Sequence, residues 1–305
     1  MTQRAEPRQE FEAGGSLVTE YVLTLSCPDR PGIVAAVSGL LAERGGNIVE
    51  SQQYGDPVTG RFFMRVQFTV PAADDRAGVA GADELRGALT ALAGDLDLDW
   101  GLWDTAGAPR VVILVSKAEH CLNDLLYRQR AGQLGIAVVV VVSNHPDLRP
   151  LTQTHGIDHH HLPVTPETRA WQEAEILTLV DHYRTDFVVL ARYMQVLSDD
   201  WCAKLSGRVI NIHHSFLPSF KGLQPYHQAH ARAVKLIGAT AHYVTGDLDE
   251  GPIIEQEVAR VDHAHGPAEL MAVGRDTECL ALARAVRWHA AHRVLLNGDK
   301  TVVFR

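Results

Sequence analysis

Two hydrophobic rhythms run along this chain, and one replaces the other near residue 105. In the first hundred residues, short strand-like segments lie between amphipathic ones. Val18 to Leu25 reads as a strand. Ile33, Val34, Val37, Leu40 and Leu41 then recur at helical spacing over residues 33–44, and Gly45-Gly46 supplies a stop. In the intervening turn, Cys27-Pro28-Asp29-Arg30-Pro31-Gly32, Pro31 suits a first helical position and Asp29 is the expected cap. Asn47–Tyr54 and Phe62–Val70 predict two strands joined by the hairpin turn Asp56-Pro57-Val58-Thr59-Gly60. Ala82–Ala93 predicts a second helix and Leu96–Leu102 a last strand. The order is βαββαβ, a split βαβ sandwich of the ferredoxin-like kind.

The stretch Thr105 to Pro109, rich in Gly, Ala and Pro, marks a break. Beyond it strands become continuously apolar: Val111–Val115, Ala137–Val142 and Phe187–Leu190. Helical patterns at Leu122–Leu134 and Pro166–Tyr183 alternate with them. Strands without a polar side, separated by helices, predict a doubly wound, mostly parallel α/β sheet covered on both faces. The expected organisation is a flexible tail over 1–16, a first domain over 17–104, a linker over 105–110 and a second domain over 111–305.

Composition narrows the function classes. At 305 residues and 46% hydrophobic, the chain can bury two cores. A net charge of -9 opposes general nucleic-acid binding, which needs a basic footprint. Four scattered cysteines without a Cys-x-x-Cys pair read as reduced thiols. The polar opening segment lacks an apolar signal region, and the run Ile136–Val142 is too short to span a bilayer. A cytoplasmic protein without a membrane partner is therefore expected. Neither Gly-x-Gly-x-x-Gly nor a phosphate-loop pattern occurs, so NAD and ATP readings have no support.

Chemistry concentrates in two stretches. Val209 to Gly222 begins as a strand and ends in a Pro/Gly loop, and period-two alternation puts Asn211 and His213 on one face. An amide can donate to an oxyanion and an imidazole can move protons, at the strand end where open α/β sheets place ligands. The same pair also fits local backbone satisfaction. In Gly238 to Ile254 two strands flank an acidic loop whose carboxylate can orient an imidazole, although Asp and Gly also simply make turns. Adjacent residues Asp158-His159-His160-His161 converge poorly on one ion, so no metal is expected. Lys117, Arg192 and Lys221 are cations for an anionic substrate group, with solvated charges as the simpler reading.

Together the two stretches resemble the folate-dependent formyltransferase family. The resemblance is carried by Asn-x-His-x-Ser-x-Leu-Pro from Asn211, followed by His242 and the run Leu248-Asp249-Glu250-Gly251-Pro252-Ile253-Ile254. The double histidine at 213–214, Pro225-Tyr226-His227-Gln228-Ala229 and Gly238–Tyr243 are similar to the formyltetrahydrofolate deformylases within it. Val112–Lys117, Ala191–Leu197, Cys27–Gly32 and Thr59–Arg65 extend the likeness over nearly the whole chain. The resemblance implies that Asn211 binds the formyl oxygen, that His213 transfers protons, and that Asp249 pairs with His213. It implies a pterin lying against Met194, Gln195, Val196 and Leu197 and against Thr245, Gly246, Asp247 and Leu248. Ser215, Thr240 and His242 would support them.

The first domain looks by resemblance like an ACT-type regulatory module. An amino-acid effector, glycine or methionine, would sit near Asp29, Arg30, Gly32 and Asn47, in a homodimer or homotetramer. The related ribonucleotide transferase has a Gly-rich phosphate cradle after its first strand, where this chain has Ser116-Lys117-Ala118-Glu119-His120-Cys121. A Gly-poor loop carrying a carboxylate is a poor cradle. No tRNA-binding extension is expected before the last residue, Arg305. The implied reaction is hydrolysis of 10-formyltetrahydrofolate to formate and tetrahydrofolate with no cofactor, supplying formate for purine synthesis. The alternatives are transfer to an unidentified amine and a non-catalytic folate sensor.

Overall fold

A computed structural model describes residues 18–71, 81–217 and 225–305. The expected tail over 1–16, Lys221 and Pro218 of the motif lie outside the described residues. Two compact units part between Gly107 and Ala108.

The first unit runs β1 (Val18–Pro28), α1 (Ile33–Glu43), β2 (Asn47–Asp56), β3 (Arg61–Pro71), α2 (Ala82–Leu96) and β4 (Asp99–Asp104). Its sheet has the order β2-β3-β1-β4, with every pairing antiparallel. Ile33, Val37 and Leu41 recur every four residues, so α1 turns one apolar stripe onto the sheet beside Leu85 and Leu89 of α2. Leu23, Leu25, Phe62, Met64, Val66 and Phe68 meet them from alternate strand positions. Three expectations need correction here. Gly32, at φ 95°, precedes α1 and no side chain caps it, so Asp29 is not the cap and Pro31 lies in the turn. Val34 faces outward. Leu96 ends α2 instead of opening the last strand, because Asp97 turns left-handed (φ 55°) and stops the helix there.

The second unit runs β5 (Arg110–Val115), α3 (His120–Arg130), β6 (Ala137–Ser143), α4 (Arg149–Thr154), β7 (Asp158–His161), α5 (Arg169–His182) and β8 (Phe187–Leu190). It continues with α6 (Asp199–Lys204), β9 (Val209–His213), α7 (Pro225–Ala231), β10 (Leu236–Tyr243), β11 (Ile253–Arg260), α8 (Pro267–Ala290), β12 (Val294–Asn297) and β13 (Lys300–Val303). The sheet order is β11-β10-β9-β8-β5-β6-β7. The five strands from β9 to β7 are parallel, β10 runs antiparallel to them, and β11, antiparallel to β10, returns to their direction. Alternate residues of β5 explain the lack of a polar side. Val111, Ile113 and Val115 join a core with α3 and α8, while Val112 and Leu114 join another with α5 and α6. α3 ends at Arg130, short of Leu134, because the chain turns left-handed at Gly132 (φ 71°). α5 begins at Arg169 and not Pro166, because Thr165 and Thr168 bond each other in the preceding turn.

The sheet grows from β5 toward β7 in one direction and then, through β8 and β9, in the other. That reversal parts the loops after β5 and β8, and such switch points at strand carboxyl ends form crevices.

Candidate active site

A cleft of about 370 Å³ opens at these strand ends, a size that suits a small organic ligand. Asn211 and His213 both line it, as their alternation on β9 predicts. Antiparallel pairing sets His242 of β10 opposite Asn211 and Thr240 opposite His213. The Asn211 Nδ2 lies 3.2 Å from His242 Nε2. The Nδ1 of His242 lies 2.8 Å from the Tyr243 carbonyl oxygen. A carbonyl only accepts, so that Nδ1 carries the proton and Nε2 accepts from the amide. Burial, foremost, keeps the His242 imidazole below its ordinary pKa and hence neutral. One Nδ2 hydrogen of Asn211 is thus tied down and the other is free to meet an oxygen in the cleft.

His213 is the second polar group. Its Nδ1 lies 3.3 Å from Asp249 Oδ2, and its Nε2 is buried without a hydrogen-bond partner. The hydrogen bond with His213 holds the Asp249 carboxyl below its usual pKa against the opposing effect of burial. The other carboxylate oxygen, Oδ1, lies 3.8 Å from His242 Nε2. Asp249 therefore sits between the two imidazoles. Its loop is held close: Tyr243 N donates to the Pro252 carbonyl at 2.9 Å, and a Cβ on Gly251 would fall 1.7 Å from the Tyr243 oxygen. Only glycine permits that approach.

The remaining expected residues divide cleanly. Met194, Gln195, Val196 and Leu197 line one flank of the cleft, and Thr245, Gly246, Asp247 and Leu248 the other. Met194, Val196 and Leu248 are each more than half exposed, which gives the cleft apolar surface for a flat ring to cover. Thr240 does not enter it. Its hydroxyl donates to the Ser215 carbonyl at 3.0 Å and accepts from Leu217 N at 3.1 Å, clamping the chain after His213. Asp29, Arg30, Gly32 and Asn47 lie in the first unit, all exposed, and Arg30 donates to the Asp95 carbonyl.

Several side chains escaped sequence reasoning. Tyr193 hydroxyl donates to Gln172 Oε1 at 3.0 Å, Ser198 N donates to Glu173 Oε1 at 3.0 Å, and Arg169 donates to the Val196 carbonyl. These three α5 residues fix the 193–198 flank. Gln172 continues the buried stripe of Ile176 and Val180, so a polar residue at an apolar position was the available signal. From the other side, Ser116 accepts from Met194 N at 2.9 Å and donates to Asn144 Oδ1 at 2.7 Å. Arg192 corrects the solvated-charge reading. It is largely buried, lines the cleft, and lies 3.4 Å from Glu278. The histidine run forms β7, while His120, Cys121 and Glu278 group within 4.8 Å instead.

The formyl transferase family profile matches residues 109–286, and that of the ACT domain matches residues 21–81. A formyltetrahydrofolate deformylase from a Corynebacterium species is 53% identical over 93% of this chain and 98% of its own. The crystal structure of the deformylase from Burkholderia mallei is 52% identical, with a TM-score of 0.88 over 94% of this chain and all of that one. A glycinamide ribonucleotide transformylase from Symbiobacterium toebii is 29% identical, with a TM-score of 0.62 over 67% of this chain and 98% of that one. With an ACT domain followed by a formyl transferase domain, and likeness to the deformylases over nearly its full length, this chain belongs to the formyltetrahydrofolate deformylase family.

Proposed function

We propose that the chain hydrolyses 10-formyltetrahydrofolate to formate and tetrahydrofolate, with Asn211, His213 and Asp249 as its catalytic residues. The observation that carries this reading is the His213 imidazole, bound to Asp249 through Nδ1 and free at Nε2, beside an amide locked by His242. Water attacks the formyl carbon while Nε2 takes one of its protons. The free Nδ2 hydrogen of Asn211 meets the oxyanion as it forms, a contribution on the order of 3 kcal/mol. Asp249 stabilises the imidazolium and helps position the water. The imidazolium then gives its proton to the folate nitrogen, the C–N bond breaks, and the formic acid so formed loses its remaining acidic proton to water and leaves as formate. The flanks at 194–197 and 245–248 hold the pterin.

Water as acceptor is supported by the loop after β5. Glu119 stands at the start of α3, and the buried carboxylate of Glu278 lies 2.7 Å from His120. Two carboxylates at that helix start disfavour a phosphorylated acceptor. The reading gives the ACT-type domain (17–104, joined by 105–110 to 111–305) an amino-acid effector, glycine or methionine, near Asp29, Arg30, Gly32 and Asn47. It places a homodimer or homotetramer in the cytoplasm, feeding formate to purine synthesis, and requires no metal. Among the described residues no helix is long and apolar enough to cross a membrane.

The test is purified protein with 10-formyltetrahydrofolate in buffer alone. Equal amounts of formate and tetrahydrofolate are expected, undiminished by a chelator. Release only after adding an amine acceptor would make it a transferase, and folate binding without release would make it a sensor.

A further inference from the structure

Four side chains that the proposed chemistry leaves unused form a buried network behind one wall of the cleft. Glu278 of α8 is 2% exposed at its side chain. His120 Nε2 lies 2.7 Å from its Oε2, the Tyr226 hydroxyl donates to Oε1 at 2.9 Å, and Arg192 Nε lies 3.4 Å from Oε2. Burial pushes the Glu278 carboxyl up, but the hydrogen bond with His120 and the charge of Arg192 outweigh it, so the group stays a carboxylate. The packing is specific to this arrangement, since a Cβ on Gly274 would come within 2.0 Å of the Tyr226 hydroxyl.

Arg192 is where this network meets the cleft. Its backbone is left-handed, at φ 64°, a conformation that side chains adopt at a cost and that persists where the residue is needed. Its Nε is buried without a hydrogen-bond partner, and among the described residues Glu278 is its one ion-pair partner. It is the one Lys or Arg among the described residues lining the cleft, together with His214, Asn211 and His213. The neighbouring His214 stacks on His213, with ring centroids 5.0 Å apart. Burial and then the Arg192 charge lower the His214 pKa to about 4, leaving it uncharged. Asp247 and Asp249 are the other formal charges of the lining. An anion generated there is repelled by both and has one fixed cation to meet.

We infer that Arg192, anchored by Glu278, forms a carboxylate subsite that receives the formate released beside Asn211 and His213. The inference rests on the hydrolase reading. A planar guanidinium suits a planar carboxylate, which it binds through two parallel N–H donors. Glu278 holds the guanidinium in place, so little side-chain freedom remains to be lost on binding.

The experiment titrates the intact chain with formate, and separately with formamide, its uncharged analogue, following each by 13C NMR with tetrahydrofolate present. Arg192→Met is expected to weaken formate about tenfold or more, leave formamide unchanged, and be partly rescued in Arg192→Lys. Unchanged formate affinity overturns the subsite. So does an equal loss for both ligands, which means the wall has collapsed. The competing source of a carboxylate is the folate's glutamate tail. If Arg192→Met instead raises KM for the natural substrate but not for a formylated pteroate lacking glutamate, the residue serves the tail and the proposal falls. Failure of the hydrolase reading shows separately, as no formate released from the folate in buffer.

Discussion

Replacing Asn211 by alanine removes one donor with two jobs, and the two losses are separable. In the cleft, the missing Nδ2 leaves the developing oxyanion without its amide, on the order of 3 kcal/mol, or 10²- to 10³-fold in kcat. Inside the sheet, the same deletion leaves the buried Nε2 of His242 without its donor at 3.2 Å. An orphaned buried acceptor costs about 1–3 kcal/mol of stability. In a unit of this size that lowers Tm by roughly 2–4 °C per kcal/mol. The folate-binding flanks are anchored through Ser116 and α5, so substrate affinity should hold. Asn211→Ala should therefore lose turnover and some thermal stability at nearly constant KM. Adding His242→Phe removes the orphan, and should recover part of the Tm but none of the turnover. The assay pairs formate-release kinetics with thermal scans of the single and double variants. A kcat within tenfold of the wild type, or a loss that appears wholly in KM, would falsify the assignment.

Three further outcomes follow from the same geometry. His213 and Asp249, 3.3 Å apart, should act as one unit, so the double alanine variant should be little slower than the worse single one; multiplicative losses in the cycle would show separate action. His214, whose pKa is lowered to about 4, binds fewer protons folded than unfolded between about pH 4 and the free histidine value of roughly 6.5. Its contribution to stability is therefore complete above that window and lost as the pH falls through it. Buried His289, lowered to about 3, acts in the same direction, so the informative quantity is the wild-type urea midpoint minus that of His214→Gln, measured from pH 7 to 4; a difference independent of pH refutes the neutral assignment. Calorimetry with glycine and methionine should show binding to the intact chain; heat from neither, with unaltered turnover, would leave the first unit without an effector role.

Some of this site is legible in the chain because its physics is local. Alternation along β9 suffices to put Asn211 and His213 on one face, and continuous apolar strands suffice for a sheet covered on both sides. Helix ends are less legible, since they depend on single backbone conformations such as the left-handed turn at Asp97, which ends α2 only after Leu96. The Glu278 network is not legible at all. His120, Arg192, Tyr226 and Glu278 come from four separate elements and loops, brought together only when α7 and α8 close over the loops after β5 and β8. A charge such as Arg192 reads as solvated until its partner is placed. Gln172 and Glu173 are intermediate cases, since a polar pair on the buried side of an otherwise regular helix already signals an unstated partner.

Asp249 shows why two readings of one residue need not compete. An aspartate in a Gly- and Asp-rich loop is explained by turn formation, and at φ 57° it does occupy the left-handed region, which Asp and Asn enter more readily than most residues. That conformation costs a non-glycine residue roughly 1–2 kcal/mol. A glycine would remove the cost and still make the turn. What a glycine lacks is the carboxylate, whose oxygens lie 3.3 Å from His213 and 3.8 Å from His242. Asparagine would keep the turn and the shape but carry no charge to hold an imidazolium. The backbone conformation thus narrows the choice to a few residue types, and His213 selects the charged one. Gly251 beside the Tyr243 carbonyl then keeps the loop close enough for the pair to form. Turn and ion pair are one device, in which the strained backbone aims the carboxylate and the contact with His213 offsets the strain.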